Sequence, residues 1–183
     1  MTSGKPVTVA VATYTNKAAA EQDYDAIREI KHHGQLDHIA VAFVEKDADG
    51  HLEIARHDST ANHLAWGGGV LGASLAVIAA PLGIVFLGPL AATTMVGAGV
   101  GGFVGHFRQN IPEEEVREMS SVLLAGQFGL VVVAVNPKGT NVGALLTNAV
   151  AEVVAVDVTD PAGAPADAFE TVDAFVPGNG STA

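Results

Sequence analysis

Seven histidines, one acidic turn and two glycine-bearing stretches are where chemistry could reside in this chain of 183 residues. His57, His63 and His106 flank a long apolar run and would meet at its base. There their imidazole nitrogens could hold a borderline metal ion, with Asp58 as an outer partner. The plainer reading makes them polar residues at an interface, because their spacing fits no ligand frame. His32-His33 ends a helix, where a protonated imidazole meets the helix dipole favourably. Asp47, Asp49 and Gly50 share features with a calcium loop. Such a loop, however, needs glycine sixth and a bidentate Glu twelfth, where Asp58 stands, so turn chemistry explains them better. Asn136-Pro137-Lys138-Gly139 lacks the frame of a phosphate loop and reads as a turn. The glycines of Gly97–Gly102 follow no strand and do not read as a dinucleotide fingerprint. No Ser-His-Asp order comes with a nucleophile elbow. With no cysteine there is neither thiol catalysis nor a Cys-ligated metal. The chain reads as a non-enzyme without a cofactor.

The elements that would position these residues are legible as alternating strand and helix patterns. Val7–Thr13 is a buried strand, and Thr15 or Asn16 caps a helix from Lys17 to His32 whose stripe is Ala20, Tyr24, Ile27 and Ile30. Ile39–Glu45 and Leu52–His57 form a hairpin across Asp47–Gly50. Asn110-Ile111-Pro112-Glu113 fits a capping box for a helix that buries Val116, Met119 and Leu123. Phe128–Val135 is a strand, Thr140–Asn148 a short helix and Glu152–Val158 a last strand. The expected organisation is a tail over residues 1–6, a domain over 7–158 with an insertion at 64–107, and a disordered acidic tail over 159–183. Without the insertion the order is β-α-β-β-α-β. That predicts an α+β, ferredoxin-like antiparallel sheet with helices on one face.

The insertion dominates the composition. From Leu64 to Gly105 there is no Asp, Glu, Lys, Arg or His, and eleven of the 21 glycines lie there. Gly88-Pro89 suggests a reversal, giving a helical hairpin with arms Gly68–Leu87 and Leu90–Phe107. Gly68, Gly72 and Ala76 share one helix face, and Gly97, Gly101 and Gly105 share another. Small residues at that spacing let helices approach closely, as in lipid. Trp66, His106, Phe107 and Arg108 would then sit at a membrane interface, with Pro81 kinking the first arm. A net charge of -11 argues against nucleic acid and against electrostatic docking on anionic lipid.

The stretch Gly97-Ala98-Gly99-Val100-Gly101-Gly102-Phe103-Val104-Gly105-His106-Phe107-Arg108 is followed by the acidic start Pro112-Glu113-Glu114-Glu115 and a Val-rich strand. This combination resembles the bacterial family called domain of unknown function 1269, whose members are labelled general-stress or membrane proteins. The resemblance covers roughly Val7 to Val158. It implies no activity and no catalytic residues, and Pro81 and the tail depart from the family's simplest pattern.

Two functional expectations follow, with a histidine-ligated metal or haem binder third behind them. The first is a non-enzymatic membrane protein that oligomerises through the hairpin, with membrane lipid and further copies of itself as partners. Its α/β domain would face the cytoplasm, in a stress-related role. The second is a soluble homo-oligomer that buries the hairpin as an apolar core or as a cavity for a lipophilic ligand.

Overall fold

Val7–Tyr14, an alternation of β-branched and small residues, forms strand β1 and is buried along its whole length. The computed structural model describes residues 6–30, 36, 38–59, 64–87, 111–136 and 138–156. Helix α1, Lys17–Ile30, starts where the Asn16 side chain accepts the Ala19 backbone N–H at 2.8 Å. Strands β2 (His38–Lys46) and β3 (Leu52–Ser59) follow, then helix α2 (Leu64–Ala79), a 3₁₀ turn over Ala80–Leu82 and the short strand β4 (Phe86–Leu87). Helix α3 (Glu113–Ala125), strand β5 (Phe128–Val135), a second 3₁₀ turn over Gly143–Leu145 and strand β6 (Ala151–Val156) complete the order. Two expectations are adjusted here. Pro112 lies outside α3 as its N-cap, without a side-chain cap bond, and the segment after β5 contains only a 3₁₀ turn rather than a short α-helix.

The strands form one sheet in the order β4-β3-β2-β5-β1-β6, antiparallel throughout except for the β3–β4 pair. A mixed α+β fold is therefore correct, but the ferredoxin-like arrangement is not what forms. In that arrangement the strand after the hairpin turn inserts between the first two strands. Here β5 takes that place, pairing with both β1 and β2, while β3 is pushed outward. Helices also cover both faces, not one. Ala10, Ala12 and Tyr14 of β1 pack with Phe43 under α1 residues Ala20, Tyr24 and Ile27. Val7, Val9 and Val11 pack with Val131 and Val133 under α2 and α3.

The membrane hairpin is overturned on the same ground. Leu71, Leu75 and Ile78 of α2 are fully buried, in one cluster with Val44 of β2 and Val131 of β5. Gly72 is buried and Ala76 half-buried. These leucines and Ile78 are thus shielded by the chain's own sheet. At 16 residues α2 is about 24 Å long, short of the roughly 30 Å of a bilayer core. Among the described residues, no helix is long and apolar enough to cross a membrane. Pro81 lies in the first positions of the 3₁₀ turn, Gly83 adopts φ 64°, and the chain returns to the sheet as β4 instead of extending the first arm. The second arm, with Gly97, Gly101 and Gly105, lies outside the described residues. The transmembrane-helix and membrane-location readings lose their basis with the first arm.

The end of α3 is fixed to the hairpin beneath it. Lys46 donates from Nζ to the Leu124 carbonyl, and Gln127 Nε2 donates to the Lys46 carbonyl at 3.0 Å. A Cβ on Gly126 would stand 2.9 Å from the Tyr14 carbonyl oxygen, so only glycine lets the chain turn so close to β1.

Leu75→Ala tests whether α2 belongs to this core. It should lower unfolding free energy by about 2–5 kcal/mol in urea denaturation, as expected of a buried leucine. A change within about 0.5 kcal/mol would return α2 to the surface.

Candidate functional site

Of the three histidines expected at the base of the apolar run, one falls among the described residues. His57 is exposed on β3, paired through its backbone with Ala42, while His63 and His106 lie outside the described residues. Phe107 and Arg108 also lie outside them. Trp66 and Gly68 fall in the first turns of α2.

The cluster that could accept a cation among the described residues is Asp47, Asp49 and His51, whose ligand atoms lie within 4.8 Å of one another. Its own turn already engages these groups. Asp47 Oδ1 accepts the backbone N–H groups of Asp49 at 2.9 Å and His51 at 2.8 Å, and Oδ2 faces His51 Nδ1 at 3.3 Å. Desolvation would raise the Asp47 carboxyl, but the His51 and Asp49 N–H groups outweigh it and hold the carboxyl below its usual range. Gly50 closes the turn at φ 86°. The cluster is turn chemistry.

A buried carboxylate forms the second constellation. Asp23 lies on the α1 stripe between Ala20 and Ile27, and it is 1 % exposed. Its Oδ2 accepts the Tyr14 hydroxyl at 2.9 Å and the Asn148 backbone N–H at 3.0 Å. Its Oδ1 accepts Asn148 Nδ2 at 2.6 Å and the Thr147 hydroxyl at 3.4 Å. Burial, then the bond to Asp23, pushes the Tyr14 phenol far above its ordinary range. Four protein donors fill the acceptor sites of Asp23, so it ties α1 to β1 and to the loop before β6 rather than meeting a substrate proton. Sequence reading passed over it, although a carboxylate in an apolar stripe was the available signal.

The third feature is a cleft of ≈ 400 Å³ between the end of α2 and the start of α3. Val77, Ala80 and Pro81 form one wall, and Ile111, Glu113 and Val116 the other. The helices are joined beside it by Ser120, which is fully buried. Its Oγ lies within bonding reach of the Ile78 carbonyl on α2 and, at 2.9 Å, of the Val116 carbonyl. A hydroxyl has one proton, so it donates to one carbonyl at a time. Close by in sequence, Leu82, Val85 and Leu87 are 43 %, 54 % and 41 % exposed.

Compared with known protein families, curated proteins and solved structures, the chain matches none.

Glu152 offers a pH test of the buried carboxylate. Burial first, and the Asp23 charge second, hold its carboxyl above the ordinary glutamate range. An acid raised in the folded state costs stability when ionised. That cost is complete above the folded value, fades as pH falls through it, and is gone below the unfolded value, about 4.5. Glu152→Gln should therefore raise the melting temperature at neutral pH, with the gain vanishing in acid. Melting curves across that range check it, and a gain that persists in acid would remove ionisation of Glu152 as the cause.

Proposed function

We propose that the protein is a non-catalytic binding module that takes a small lipophilic ligand in the cleft between α2 and α3. The observation that carries this is the cleft itself. Its ≈ 400 Å³ falls within the roughly 300–1,000 Å³ of small-molecule sites, and apolar side chains line it with Glu113 as the charged group. Its walls belong to helices that Ser120 bridges, so the cleft does not have to be built by the ligand. The best-formed carboxylate cluster, around Asp23, is engaged in structural bonds, which supports a non-enzymatic role.

Self-association is a second reading, favoured by the partly exposed apolar residues Leu82, Val85 and Leu87 beside the outermost strand β4. It would make the protein a homo-oligomer and is compatible with a ligand in the cleft.

Nile red, a neutral apolar dye, tests the first reading on the full chain. Emission should rise saturably, and Ala80→Trp, placed at an exposed lining position, should weaken dye binding about tenfold. Unchanged binding in that variant would dismiss the cleft. For the second reading, light scattering should give a multiple of the 18.6 kDa chain mass that Val85→Glu reduces to one copy. A single-copy mass for the unaltered chain would end it.

A further inference from the structure

We infer that the ligand is an amphiphile with a cationic head, an alkylammonium in chemical class, and not a fatty acid. The inference rests on the cleft reading and adds the polarity of its mouth. Among the described residues, the lining contains no Lys, Arg or His, and its charged group is Glu113. Glu114 and Glu115 follow on the same helical turn. The α2 wall brings no charge at all, since Leu64–Ala79 and Ala80–Leu82 hold no ionisable side chain.

A helix start ordinarily welcomes an anion, because its unbonded N–H groups carry partial positive charge. At α3 that role is already filled by three carboxylates in the first turn. A ligand carboxylate would enter as a fourth negative group, whereas an ammonium would meet attraction. Arg117 is the nearest counter-charge on α3, at 3.5 Å from Glu113, but both side chains are well exposed, 61 % and 83 %. Such a pair is weak and yields to a competing cation. Glu113 thus stands at the wet rim while Val77, Ile111 and Val116 form the dry floor, the polarity of a single-tailed amphiphile entering tail first.

Calorimetric titration of the full chain with decylamine, decanol and decanoate, each below its aggregation limit, tests this. Decylamine should bind about fivefold more tightly than decanol, and decanoate more weakly than either. Glu113→Gln should bring decylamine to the affinity of decanol, and about 0.5 M salt should do the same. Ala80→Trp should weaken decylamine and decanol alike. Decanoate binding as tightly as decylamine, or a preference for the amine that survives Glu113→Gln, would overturn the cationic head. The cleft reading would still stand if Ala80→Trp weakens decanol. Decylamine binding untouched by Ala80→Trp would mark adsorption to an acidic surface and overturn the inference. Failure of both decanol and decylamine to bind would overturn the cleft reading as well.

Discussion

A sheet that is apolar on both faces must be covered twice, and every other feature of this fold answers to that constraint. Strands β1 and β5 carry apolar side chains toward both sides, so leaving either face in water would expose a row of valines. One face takes α1, whose polar outer side carries Lys17, Glu21, Asp25 and Arg28. Three of them tie it to the sheet, by ion pairs from Lys17 to Glu45, Arg28 to Asp58 and Arg56 to Glu21, the last at 3.8 Å. Arg56 also stacks over the Tyr24 ring at 4.9 Å. Exposed pairs of this kind add little stability.

The opposite face takes two helices, and they are unlike each other. Helix α3 is amphipathic, burying Val116, Met119 and Leu123 while its glutamates face outward. Helix α2 is apolar nearly all round, with Leu71, Ser74, Leu75, Val77 and Ile78 buried, because it has sheet beneath and α3 alongside. Its neighbours are β2, β5 and α3 of the same chain. Ser120 supplies the polar link between the two helices at a point where an unbonded carbonyl would otherwise be costly.

Elements were easy to read and their arrangement was not. The runs Val7–Thr13, Lys17 onward, Leu52–His57 and Phe128–Val135 fold as their periodicity implies, because each is a local pattern. Strand order depends on long-range pairing, and the β-α-β-β-α-β sequence of elements admits more than one. A physical signal did exist. Phe128–Val135 has no polar residue and suits a central strand, whereas Leu52–Ser59 carries Glu53, Arg56, His57 and Asp58 and suits the periphery. Weighing those compositions places β5 between β1 and β2 and turns β3 outward. The apolar run misled because an all-apolar helix is equally suited to lipid and to a layer between sheet and helix. Its termination at Pro81 and Gly83, not its composition, separates the two. The cleft was illegible, since Val77 and Val116 lie far apart in sequence and meet only after α2 and α3 pack. Asp23 was legible in principle, as a carboxylate where the α1 stripe demands an apolar residue.

The cleft follows from the same two-helix cover. Two helices side by side on a twisted sheet touch along part of their length and diverge beyond it. Around Ser120 the contact is close; toward Glu113 on one helix and Ala80 on the other it opens. Closing that gap would need a bulkier residue than Ala80 or a continued α2, and Pro81, inside the 3₁₀ turn that follows α2, prevents the continuation by removing a backbone donor. The proline that stops α2 from becoming a membrane-length helix is therefore also one wall of the opening. Charge is divided along the same line, with none on the α2 side and carboxylates on the first turn of α3. An apolar floor with a negative rim is thus a consequence of how this sheet is covered, and in the proposed binding role it would select ligands by the sign of their head group before their shape.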